Sequence, residues 1–94
     1  MAQLFENIRA LVVEGRYLVS QHASERLDER IVLEWQVVDG IEHGELLVER
    51  PTASPNPAVE VRQWLADGTE IRAVWSYLAS ADMAKLVTVY FYEG

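Results

Sequence analysis

Residues 58–78, AVEVRQWLADGTEIRAVWSYL, contain two runs rich in β-branched and aromatic side chains, Ala58 to Leu65 and Glu70 to Leu78. They flank Asp67-Gly68, a dipeptide that tolerates the positive φ angles of a tight turn, so the stretch reads as a β-hairpin. Downstream, Lys85 to Tyr92 sets Val87, Val89 and Phe91 against Thr88, Tyr90 and Tyr92, the alternation of a half-buried strand, with Ser80 to Ala84 as the connection. Upstream, Pro51-Thr-Ala-Ser-Pro55-Asn-Pro57 cannot continue a ladder, because proline has no N–H to donate. Before that loop, Glu45 to Arg50 reads as one more short strand.

The first half of the chain has a different period. Leu4, Ile8, Leu11 and Gly15 follow helical spacing, with Phe5 and Val12 widening the stripe, so residues 3–14 read as an amphipathic helix stopped at Gly15. Arg16 to Val19 is short and extended. Ser20 then caps a second helix running to about Ile31, with Ala23, Leu27 and Ile31 as its buried line. A third helix reads from Glu34 to His43, burying Val37, Val38 and Ile41, with Gly40 inside it and Gly44 as a left-handed stop. Three helices followed by three or four strands with short connections make an α+β domain, N-terminal helices packed on a C-terminal antiparallel sheet.

Ninety-four residues, half of them hydrophobic, suffice for one core, so residues 1–94 are expected to form a single domain. Without cysteine, neither disulfides nor thiolate metal sites are possible, and a reducing cytoplasm is the expected location. Met1 to Arg9 does not have the order of a secretory leader, and no apolar run reaches membrane-spanning length. The net charge of −7 opposes a phosphate backbone at long range. The imbalance is uneven: nine acids and four bases up to residue 47, then six and four. Seven of the eight bases are arginine, which suits bidentate contacts with phosphate and carboxylate alike.

The most suggestive polar run is Ser20-Gln-His22-Ala-Ser-Glu-Arg26-Leu-Asp-Glu-Arg30. Four-residue spacing places His22, Arg26 and Arg30 in a row beside the buried line. In the first turn of a helix the dipole disfavours protonating His22, and a neutral imidazole beside two guanidiniums suits phosphate chemistry. It can take a proton from a ribose 2′-hydroxyl while Arg26 or Arg30 stabilises charge on phosphorus. Ion pairs of Arg26 with Glu29 and of Arg30 with Glu34 account for the arginines equally well. Thr88, Tyr90 and Tyr92 form a row of hydroxyls that could bind phosphate, although threonine and tyrosine are common strand residues. Trp35, Trp64 and Trp75 read as core or rim. His22 and His43 stand too far apart for a metal motif, and the scattered glycines form no phosphate loop, so no metal and no cofactor are expected.

The run Ser20-x-His22-Ala23-x-x-Arg26-x-x-Glu29-Arg30, then Val37, Ile41, Gly44-Glu45 and finally Val87-Thr88-Val89-Tyr90, resembles the bacterial family catalogued as domain of unknown function 4258. The resemblance spans residues 17–92. It implies a fold like that of the RelE-type and barnase-type ribonuclease toxins, with helices on an antiparallel sheet and the active site on that sheet. Its matched polar positions are His22, Arg26, Arg30, Thr88 and Tyr90. The chain departs from the pattern at Ile31, where a turn glycine is usual, at Leu33, where a capping serine or threonine is common, and at Gly40, where alanine is usual.

Two functions follow as expectations. One is a non-catalytic module that keeps a toxin-like fold and binds another protein or its own copy, favoured by the acidic balance and exposed aromatics. The other is a metal-independent endoribonuclease with His22 as general acid or base, Arg26 with Arg72 or Arg30 holding phosphate, and Thr88 and Tyr90 as supporting donors. RNA is a partner only in the second case, and a membrane in neither.

Overall fold

The computed structural model describes residues 3–92, so both ends of the expected domain over residues 1–94, and the start of the Met1 to Arg9 segment, lie outside the described residues. Along the chain come α1 (Gln3–Val13), β1 (Tyr17–Val19), α2 (Gln21–Glu29), α3 (Glu34–Gly40), a 3-10 turn (Ile41–His43), β2 (Glu45–Arg50), β3 (Ala58–Trp64), β4 (Glu70–Leu78) and β5 (Met83–Phe91). The mixed α+β character is as expected, but the sheet is larger. Five strands lie in the order β1-β5-β4-β3-β2. β1 sits between α1 and α2 and pairs parallel with β5, placing Tyr17 opposite Ala84. This corrects both the count of three or four strands and the expectation that every helix precedes every strand. The segment reads as extended, but three residues carry no alternation and the partner of β1 lies at the far end of the chain, so nothing local assigns it to the sheet.

One side of the sheet receives the helices. Phe5, Ile8, Leu11 and Val12 of α1 are buried with Ile71, Trp75 and Val89 from the strands. Gly15, at φ +84°, ends α1: its N–H reaches the Val12 carbonyl and the Arg16 N–H reaches that of Leu11. Gly15 is the stop the sequence suggests, and it takes the left-handed conformation common at helix ends. Gly44, expected as the left-handed stop of the third helix, does not adopt that conformation. Its φ is −73°, and its need for glycine is steric, because a Cβ there would lie 2.5 Å from Val61 Cγ1.

The hairpin forms where expected, with a longer turn. The Leu65 carbonyl accepts from the Gly68 N–H at 2.9 Å, and the Leu65 N–H donates to the Thr69 carbonyl at 2.8 Å. Only Gly68, at φ +89°, needs the left-handed region; Asp67 does not. The geometry fits a three-residue loop closed by a left-handed glycine. Asp67 instead accepts the Thr69 N–H at 2.9 Å. Hydrogen bonds from the Thr69 side chain and backbone hold its carboxyl below the usual range. Because the folded-state value is depressed, this support is present above the ordinary aspartate pKa and is lost as pH falls through the lowered one.

β5 departs from simple alternation. Val74 pairs with Thr88 and Trp75 with Leu86, so Val87 is an extra, bulged residue. Val87 therefore lies beside Val74 and Ser76 on the face away from the helices, not with Val89 and Phe91 as alternation predicts.

The end of α2 is a second correction. The helix stops at Glu29, and Ile31, expected in its buried line, is 91 % exposed with φ +56°. The Ile31 N–H bonds to the Asp28 carbonyl and the Val32 N–H to that of Leu27. This is the paired closure that normally has glycine at its left-handed residue, and Val32 rather than Ile31 turns in against the core. A β-branched residue is strained at this position, and its exposed side chain gains almost no packing. Ile31→Gly should therefore raise unfolding free energy by about 1 kcal/mol, the left-handed penalty less part of glycine's extra chain entropy. Urea denaturation checks this, and an unchanged or lowered midpoint would contradict it.

Candidate functional site

α2 lies along the part of β5 that β1 leaves uncovered. β1 pairs only with Ala84 to Leu86, so the carbonyls further along face an open edge. α2 supplies their partners. At its N-cap the Ser20 N–H continues the β1 pairing to the Leu86 carbonyl at 3.0 Å; beyond that, the Ser20 hydroxyl donates to the Val87 carbonyl at 2.8 Å and Arg26 Nε to that of Val89 at 3.3 Å. An unpaired strand edge is a template for association, and here a helix blunts it.

Within the expected row on α2, Arg26 is thus tied to the sheet. Arg26 is engaged with β5, pairs with Glu29 at 3.6 Å and holds its guanidinium 6.0 Å from the centre of the Phe91 ring. Arg30 stands 5.0 Å from the same centre, so the two arginines share one aromatic support. His22 is exposed in the first turn of α2. Among the described residues no three of histidine, aspartate and glutamate converge in a way that could hold a metal ion.

Thr88, Tyr90 and Arg72 belong to the opposite, open face of the sheet. Arg72 pairs across the ladder with Tyr90, and the two border a shallow depression with Glu60 and Tyr92. Thr88 is nearly buried opposite Val74. Arg30 borders one surface depression, and Arg72 and Tyr90 border another. The structure therefore brings Arg26 to Arg30 and Arg72 to Tyr90 as two separate pairs.

The open face is closely balanced in charge. Glu60 accepts from Arg72 at 3.2 Å and also pairs with Arg50, while Arg62 lies 3.3 Å from both Glu45 and Glu70. Arg72 is thus paired with Glu60, a carboxylate it shares with Arg50. Lys85, also on this face, makes no ion pair among the described residues. Sequence reading passed over Lys85 and Ser76, because only the strand register sets them opposite each other.

Several large apolar side chains are exposed around the junction of α2 and α3. Leu33 occupies the N-cap of α3 with no side-chain hydrogen bond. Exposure is 57 % for Leu33, 53 % for Trp35 and 39 % for Trp64, alongside Ile31. Two adjoining depressions share Gln36, Leu65 and Ala66: one is bordered by Arg30, Ile31 and Asp67, the other by Trp35, Asp39 and Trp64. Of the three tryptophans, Trp75 is core and the other two are rim.

A family model described as a domain of unknown function (DUF4258) matches residues 19–91. No curated protein and no solved structure shows significant similarity to the chain.

Proposed function

The chain belongs to the DUF4258 family, and from that premise we propose that it acts as a non-catalytic protein-interaction module whose contact surface is the α2–α3 junction. One observation carries this reading. At Ile31 and Leu33 the chain forgoes the residues that would stabilise the junction, a left-handed glycine and a hydroxyl cap, and presents large apolar side chains to solvent instead. Local cost combined with exposed apolar area is typical of a surface kept for binding. Trp35 and Trp64 supply the aromatic anchors that dominate interfaces. Asp39 and Asp67 at the rim, on a chain of charge −7, favour a partner whose apolar patch has a basic border.

Light scattering over a concentration series, with pull-down from the source cytoplasm, tests the proposal. Wild type should associate with its own copy or a defined partner. The Leu33→Ser/Trp35→Ser variant should lose that association while unfolding at a similar temperature, and His22→Ala should keep it. Equal association by wild type and the double variant, or none by either, would overturn the reading.

A metal-independent endoribonuclease of RelE-like toxin type is the second reading, favoured by the two guanidiniums gathered at Phe91 beside the α2 row. In it His22 exchanges the proton, Arg26 and Arg30 hold phosphate, and Arg72, Thr88 and Tyr90 contribute from the open face. Labelled RNA incubated with chelator should then be cleaved by wild type and not by His22→Ala. Cleavage by both or by neither would eliminate it.

A further inference from the structure

We propose that the open face of the sheet has a binding site for a small organic monocarboxylate, between the proline loop and the Ser76–Lys85 cross-strand pair. A half-open hollow of about 240 Å³ lies there, with Ala53, Ser54, Pro55 and Asn56 of the loop on one side. The strand side is formed by Val74, Ser76, Lys85 and Val87. The hollow is smaller than the sites that hold drug-sized ligands, which run to roughly 300–1,000 Å³. A compact molecule matches it, and a folded partner does not.

Three features define the ligand. The floor is apolar, because the β5 bulge turns Val87 outward beside Val74. Ser76 is only 4 % exposed, and its hydroxyl has no hydrogen-bond partner among the described residues. A buried hydroxyl without a partner is uncommon, and Ser76 lines the hollow, where an acceptor bound against it would satisfy that donor. Lys85 stands directly opposite Ser76 in the β4–β5 register, so both side chains project from neighbouring points on one face. Arg50, Arg62 and Arg72 on this face are all paired with carboxylates, whereas Lys85 makes no ion pair among the described residues. One ammonium and one hydroxyl donor over an aliphatic floor select a single carboxylate on a short apolar body. This site is remote from the α2–α3 junction in chain and face, and it stands or falls independently of the protein-interaction reading.

Titration of the full chain with benzoate, followed by amide chemical shifts, tests the site. Benzyl alcohol tests the apolar body alone, and inorganic phosphate the charge alone. Benzoate should shift the amides of residues 53–56, 74–76 and 85–87 saturably, and more tightly than either control. Lys85→Met should weaken benzoate about tenfold, the loss of one charge-assisted contact. Ser76→Ala should weaken it several-fold while leaving thermal stability unchanged or raised, because it deletes a hydroxyl that has no partner in the free protein. A purely structural serine would not separate those two readouts. No saturable shift with benzoate overturns the proposal. So does equal binding of benzyl alcohol, of phosphate, or of benzoate to Lys85→Met.

Discussion

Gln63→Leu is expected to lower unfolding free energy by about 2–4 kcal/mol, the cost of leaving two buried polar groups without partners. Gln63 has no accessible surface, although it lies on a strand whose neighbouring inward residues are valines. Its amide bridges two layers. Nε2 donates to the Val37 carbonyl of α3 at 2.7 Å, and Oε1 accepts from Trp75 Nε1 of β4 at 2.9 Å. Leucine nearly matches the volume, so the loss would reflect the orphaned indole N–H and carbonyl rather than a cavity. Trp75→Phe in the leucine background removes one orphan, and it should cost less there than in wild type. Denaturant melts of the four proteins measure this coupling as a double-mutant cycle. A Gln63→Leu protein within about 0.5 kcal/mol of wild type would show that the bridge contributes little.

The same bridge explains a glycine that helix propensity disfavours. A Cβ on Gly40 would lie 2.8 Å from Gln63 Nε2 and 3.4 Å from the Trp64 carbonyl. Alanine at this position would push against an amide that is held from both sides. A reading of propensity registers only the weakness of Gly40 in a helix, because the group it makes room for is on β3, more than twenty residues later.

What could be read from the chain alone divides along that line. The hairpin at Asp67-Gly68, the stop at Gly15, the cap at Ser20 and the proline loop are local, and each forms where the residues indicate. The parallel pairing of β1, the bulge at Val87 and the outward turn of Ile31 depend on partners far along the chain or on how a helix closes. The candidate site follows the same rule. Helical spacing puts Arg26 and Arg30 in one row, and in the fold both guanidiniums lie over Phe91. That Thr88, Tyr90 and Arg72 sit on the sheet's open face, and that Ser76 meets Lys85 there, follows only from strand order and register.

Ser20→Ala is expected to cost about 2 kcal/mol, because one hydroxyl has two structural roles there. It accepts the Ala23 N–H at 2.9 Å, capping α2, and donates to the Val87 carbonyl at 2.8 Å, fastening that helix to the β5 edge. Ser20→Asp separates the roles. A carboxylate can still accept from Ala23 and is favoured at a helix N-terminus, but it has no proton for Val87 and sets negative charge against that carbonyl. The expected order of stability in urea is therefore serine, aspartate, alanine. Aspartate equal to serine would show that the bond to Val87 contributes nothing, and aspartate equal to alanine would show the same of the cap. The order also bears on Arg26, whose Nε reaches the next outward carbonyl of that edge at Val89. If Ser20 sets the register of α2 against β5, its aspartate variant should loosen Arg26 as well, so that Arg26→Met costs less in that background than in wild type. Under the ribonuclease reading this makes Ser20 a positioning residue for the arginine pair at Phe91. Under the interaction reading it makes Ser20 the residue that keeps a strand edge closed, and the aspartate variant would then self-associate through β5 while its α2–α3 junction still binds as wild type does.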